Sequence, residues 1–292
     1  MNTVFQSEGY FDCYNYGKAI LSQNEEEYSQ RRVEELTNSF YYEFVFIPTT
    51  GFLAGPDLLL PDSEVKLMFD RADPKVLAVD VTGTATLTSV ELKNCYATTE
   101  YVSSPLTRTY FDSIDTDPIL YKYDECEVLI KSLPLNEKNI RLDNLKGGNV
   151  PSFIFAAIIP TDALNGNLLK SSTGFYCHNV ESFNFSLNGN SVNGYPISIQ
   201  HGSTCYPLHK FNDTINKMCN ITSGSGFTLR EFESNFIWSH SFEAESSTQG
   251  WIGVDMKLKS HFAESHSMVI WVINPTVLSI DKFHQIERIN SN

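Results

Sequence analysis

The sequence predicts an all-β fold, a sandwich or jelly roll, and three observations carry that reading. Short apolar runs alternate with polar residues at period two. Turn pairs stand between those runs, among them the Asn-Gly dipeptides at 165–166, 188–189 and 193–194. No long amphipathic helix and no glycine-rich phosphate loop stands out along the chain. Residue usage agrees: 20 Phe and 14 Tyr, with only 19% charged residues, favour strands over a helix bundle. A hydrophobic share of 41% in 292 residues is enough to fill a core.

Taken in order, residues 1–37 are mixed. The stretch YGKAILSQNEEEYSQRRVEELTN reads as one or two helical turns, with Ile20, Leu21, Val33 and Leu36 inward and Glu25–Glu27 as a solvated face. From Ser39 strands dominate. Tyr42, Phe44 and Phe46 alternate within 40–47, and Val65, Leu67 and Phe69 within 64–70. The pattern around Val90, Leu92 and Tyr96 is weaker, because Asn94 falls on its apolar face. ECEVLIKSLPL gives a strand at 126–133 that stops at Pro134, and Lys146-Gly147-Gly148-Asn149 reads as a turn. VPSFIFAAIIP is apolar throughout, which suits a strand at 152–159 buried on both faces. A strand at 182–187 runs into Asn188-Gly189, a pair that takes the positive φ angles of tight hairpins. Residues 201–235, polar and carrying TSGSG at 222–226, read as a long surface loop. WIGVDMKLKSHF and SMVIWVINPTVLSID supply the closing strands, the second centred on 267–274.

Two stretches share a pattern. One begins at Asn38 and one at Ser234; each opens on an aromatic strand, passes a turn-rich middle, reaches V/M-K-L and ends on an apolar strand. Val65-Lys66-Leu67 lies over Met256-Lys257-Leu258, 191 positions later. Two copies of one sandwich and a chance likeness between two hairpins both account for it. On the first account, the second copy fills 111–292 and the first would start roughly 80 residues before Met1.

Charge and motif content exclude several functions. The net charge is −14, and the densest basic pair is Arg31-Arg32, so direct nucleic-acid binding is not expected. Apolar runs such as SFIFAAIIP are too short to span a bilayer, and no signal-like start is present, so neither membrane insertion nor secretion is expected. The six cysteines (13, 95, 126, 177, 205 and 219) are scattered and read as free, buried thiols. Cys205, His209 and Cys219 form a loose candidate metal set; His261, Glu264 and His266 form another. Asp112, Asp115 and Asp117 sit in an acidic loop without the glycine and distal glutamate of an EF-hand. Two thiols and one imidazole at loose spacing are weak evidence for a metal, and solvated turn or loop residues explain the other two sets better. With no HExxH, GxSxG or GxxxxGK[ST], no catalytic, cofactor or metal residue is assigned, and no enzyme is expected. Sequons at Asn184, Asn212 and Asn220 would matter only in a secreted chain.

The stretch FIFAAIIPTDALNGNLLKSSTGFYCHNVESFNFSLNGNSVNGYPI resembles the major capsid protein of Polinton/Maverick elements and adintovirus-like viruses. The matching residues are Asp162-Ala163-Leu164-Asn165-Gly166-Asn167, Lys170, Phe183-Asn184-Phe185, Gly189 and Pro196. DLLLPDSEVKLMFDRADPKVLAV is similar to a hairpin of that family's first roll, and MVIWVINPTVLSIDKFHQI to its final strand. The three pieces keep the family's order across residues 40 to 285. The resemblance implies a double jelly roll, with residues 1–110 as the C-terminal part of an incomplete first roll and 111–292 as the second. It further implies homotrimeric, pseudo-hexagonal capsomers in an icosahedral virion shell, touching neighbouring capsomers and penton or minor capsid proteins. The alternative reading is a secreted or surface β-sandwich module that binds carbohydrate or protein. A hydrolase on a sandwich finds no catalytic set.

Overall fold

A computed structural model describes Lys66 and, with short gaps, residues 104–290. Apart from Lys66, the strands expected at 40–47 and 64–70, the weaker pattern around Val90, Leu92 and Tyr96, the helical turns within 1–37 and the first member of the repeat lie outside the described residues. The described elements are helix α1 (Pro105–Asp112), strands β1 (Ile119–Leu133), β2 (Asn139–Asn149) and β3 (Phe153–Pro160), and the short helix α2 (Thr161–Leu164). Next come β4 (Val180–Leu187), β5 (Asn190–Ser191), β6 (Ile197–Ser198) and the helices α3 (Cys205–Cys219) and α4 (Leu229–Ser234). The chain continues through β7 (Trp238–Ser241), β8 (Gln249–Leu258), β9 (His266–Ile280) and β10 (Ile286–Asn290).

The strands form two antiparallel sheets. Sheet one runs β1-β9-β3-β7, with β10 also on β9; sheet two runs β2-β8-β4-β5, with β6 also on β4. From β1 to β4 and again from β6 to β9, successive strands alternate between the sheets, and the late strands return between the early ones. That interleaving is two Greek keys wound into a jelly roll. The fold class read from the sequence, all-β and jelly-roll, is the fold observed.

Local chemistry explains the pieces. β3 is buried at every position from Phe153 to Pro160, because it lies between β9 and β7 with side chains packed above and below. β9 is buried from Ser267 to Ile273, and Pro275 stands where β9 exchanges β3 for β10 as its neighbour. Proline has no N–H to give a ladder, so the gap between two partners is where it costs least. Asn188 and Gly189 take φ of 52° and 79° and join Leu187 to Asn190 as a two-residue hairpin. Between the sheets, Trp238 stacks on Phe183 at 4.5 Å, and Phe236 meets Trp238 edge-on at 4.6 Å.

Three local expectations are corrected. Residues 146–149 are strand rather than turn: Gly147, Gly148 and Asn149 pair with Trp251, Gly250 and Gln249, and the irregularity is a bulge between Leu142 and Lys146. The stretch 201–235 is not a plain loop, since it holds the 15-residue α3 and the shorter α4. Phe211 and Ile215 of α3 are buried, which gives the helix a packed side despite its polar composition. Asn165-Gly166 closes a helix rather than a hairpin. Gly166 has φ 89°, its N–H reaches the Ala163 carbonyl at 3.3 Å, and Asn167 N–H reaches that of Asp162 at 3.0 Å.

Candidate functional site

Among the described residues, those singled out for metal chemistry do not come together. Cys205 and Cys219 stand at opposite ends of α3, about 20 Å apart at the helical rise of ~1.5 Å per residue. Cys205 carries a free thiol, but it and Cys219 are exposed rather than buried as expected, because the ends of α3 face away from its packed side. His266 is taken up by its ring stack on Phe262 (4.3 Å) and a 2.8 Å contact from Nδ1 to the Glu264 carbonyl, while His261 is exposed. Asp112 ends α1 and Asp117 is exposed beyond it. Among the described residues no group of three His, Cys, Asp or Glu side chains is placed to hold a metal ion. Of the sequons, Asn184 is buried in β4 with its side-chain oxygen accepting from Ser191 at 2.8 Å, so it presents no amide to a glycosyltransferase.

The Asp162 motif has a structural role. Asn167 Nδ2 donates to Asp162 at 2.9 Å, and Lys170 bridges Asp162 (3.0 Å) and Glu264 on the turn between β8 and β9. The Asn167 amide first, and Lys170 after it, hold the Asp162 carboxyl below the usual carboxylate range; Glu264 raises the Lys170 ammonium. The clamp ties the turn after β3 to the turn before β9. A cavity of about 540 Å³ lies where β9 changes partners, and its charges are used up in pairs, Glu125 with Arg288 and Glu127 with Lys146. His240 is the described group whose acidity departs furthest. Burial, and then the charges of Lys210 and Lys217 on α3, lower it to about 4.

The surface feature that stands apart is strand β1. Register gives its outer face: Phe155 and Trp271 are cross-strand partners, Phe155 packs against Phe211 of α3 at 6.2 Å, and Trp271 against Phe175 at 5.7 Å. On the same face, Val128 pairs with Trp271 and Ile130 with Val269. The covering layer protects the β9 residues and stops short of β1, where Leu120, Val128 and Ile130 remain 47%, 45% and 58% exposed. Among the described residues β1 pairs only with β9, leaving a 15-residue strand with one open edge. Lys122, Asp124, Glu125, Glu127 and Lys131 punctuate it, as charges do on edges that must not pair at random. Beyond β9, Phe283, Ile286 and Ile289 are also exposed. The sequence placed a strand here; its open edge follows from tertiary pairing, which no local pattern shows.

Similarity to solved structures was found at low identity. The chain matches the capsid of the virus PBCV-1 with TM-score 0.39 and 12% identity, over 65% of this chain and 55% of that one. It matches the Sputnik virophage with TM-score 0.37 and 14% identity, over 60% of this chain and 39% of that one. It matches the mavirus major capsid protein with TM-score 0.31 and 8% identity, over 59% and 41%. The chain thus spans about half, or less, of the solved chains it matches. No family model and no curated protein matches this chain.

Proposed function

We propose that this chain is a structural shell protein, a major capsid protein of a virus or virus-like element of the Polinton/Maverick kind. The observation that carries the reading is the β1 edge of a jelly roll, open among the described residues, with aliphatic side chains exposed on its outer face. A jelly roll alone serves lectins and cupins as well as capsids. A sandwich with a long edge unpaired among the described residues, and with exposed apolar groups beside it, suits a subunit whose neighbours complete its burial. The sequence resemblance adds the family's order of pieces. On this reading residues 1–110 belong to part of a first roll and 111–292 to a second. The chain assembles as a homotrimer that meets other capsomers and penton or minor capsid proteins, and it resides in the virion without enzymatic activity.

Magnitudes limit what β1 does alone. Burying the exposed half of three aliphatic side chains yields about 1 kcal/mol each. Association costs on the order of 4–15 kcal/mol before any contact is counted. Leu120, Val128 and Ile130 therefore serve as the apolar centre of a larger interface. Light scattering on the full chain tests the reading: a trimer or larger species is expected, and the V128K/I130K double variant should shift it toward monomer. A wild-type monomer across the micromolar range would overturn it.

A further inference from the structure

The outer face of sheet two carries a second feature, independent of β1. Trp251 of β8 is half-buried, while Trp238 and Trp271 are 1% and 2% exposed. The Trp251 ring lies against two glycines: a Cβ on Gly189 would come within 3.4 Å of its Cη2, and one on Gly253 within 3.5 Å of its Cζ3. Glycine at both positions lets the indole lie close to the sheet. Next to it, the bulge in β2 takes Asp143, Asn144 and Leu145 out of the ladder. Leu145 is buried in the core and pins the bulge, and Asn144 adopts the left-handed conformation with φ 52°. Arg141, Asp143, Asn144 and Trp251 together line a cavity of about 420 Å³.

The polar groups of this cleft are held yet unspent. Arg141 directs Nε to both Asp143 oxygens, at 2.8 and 3.0 Å, and stands 3.7 Å from Asp255, its cross-strand neighbour. Among the described residues no hydrogen bond engages the terminal nitrogens of Arg141, the side-chain amide of Asn144 or Nε1 of Trp251. A flat aromatic surface beside a fixed guanidinium, a carboxylate and an amide offers stacking to an apolar ring face, and donors and acceptors to hydroxyls around its rim. One cation against two carboxylates, Asp143 and Asp255, disfavours an anionic ligand.

We propose that the cleft over Trp251 binds a neutral pyranose sugar, the terminal ring of a glycan. The sugar stacks its C–H face on the indole and hydrogen-bonds to Arg141, Asp143 and Asn144. The site stands on the geometry of sheet two and does not depend on the shell reading. Saturation-transfer NMR on the full chain, with the methyl glycosides of glucose, galactose and mannose, with N-acetylglucosamine, and with sialyllactose and heparin as anionic comparators, tests it. At least one should receive saturation and shield tryptophan fluorescence from acrylamide, since Trp251 is the accessible indole among the three. Affinity should fall about tenfold or more in R141A and in D143N, and binding should vanish in W251A, while K257A, elsewhere on the same face, binds as wild type. R141A and D143N change exposed side chains and keep the test valid should W251A fail to fold. The proposal is overturned by absence of transfer from every glycoside at about 20 mM. It is equally overturned by wild-type affinity in R141A and D143N, or by binding confined to sialyllactose or heparin.

Discussion

His240 makes stability depend on acidity in a calculable way. It sits in β7 beside the Phe242 ring, 4.6 Å between centroids, and is held at about 4 from an ordinary 6.5. The unfolded chain binds the proton more readily than the folded one, so stability is complete above pH 6.5 and falls as pH drops from 6.5 toward 4. A separation of about 2.5 pKa units corresponds to about 3.4 kcal/mol when the descent is complete, and to about 2 kcal/mol by pH 5. Urea unfolding of wild type and H240Q at pH 7.5 and pH 5 measures it, with wild type losing about 2 kcal/mol more than the variant. Burial pushes Asp124 up, which works in the opposite direction, yet it is common to both proteins and cancels in the difference. Because burial outranks the charges of Lys210 and Lys217, added salt should recover only a minor part of the loss. Parallel pH profiles for the two proteins would refute the reasoning.

Other outcomes follow from packing. W238A removes a fully buried indole stacked on Phe183 and should cost about 3–5 kcal/mol in urea unfolding; a loss under about 1 kcal/mol would mean the two sheets close the gap. G253A places a Cβ 2.8 Å from Ser186 Oγ and 3.0 Å from the Leu142 carbonyl oxygen. A loss of about 1–3 kcal/mol is expected from that overpacking, and an unchanged unfolding midpoint would show that β8 has room to shift. V128K/I130K should leave the unfolding midpoint of the dissociated chain within about 0.5 kcal/mol of wild type, since both residues are half-exposed, while assembly is lost.

What the sequence disclosed depended on how locally each feature is encoded. FIFAAIIP is apolar along its whole length, so its burial on both faces could be read directly. Asn188-Gly189 encodes its hairpin in two residues. By contrast α3 was hidden, because Pro207 and the polar run to Cys219 suggest a loop. Its signal lies in Leu208, Phe211, Ile215 and Met218, a helical spacing that shows only once the segment is read at period 3.6. Pro207 stands in the first turn, where a missing N–H is tolerated. Gly147-Gly148 resembles a turn but pairs with Trp251 and Gly250, an arrangement set by a strand about a hundred positions away. The Trp251 cleft was invisible for the same reason, because it joins a bulge in β2 to an indole on β8.

The order of strand pairing has a kinetic consequence. β3 pairs with β7, β2 with β8 and β1 with β9, so the partners nest inside one another around the hairpin at Asn188-Gly189. The innermost pairs close the shortest loops, and each outer pair must wait for a longer one, which raises the contact order and slows folding. β9 joins β1 to β3, so sheet one has no continuous ladder until residues 266–280 have left the ribosome. Until then β3, apolar on both faces, has only the four-residue β7 to pair with and lacks its longer neighbour β9. The nascent chain is therefore a long-lived client for chaperones that shield exposed strands, and its yield in a heterologous host should rise with slower synthesis and lower temperature.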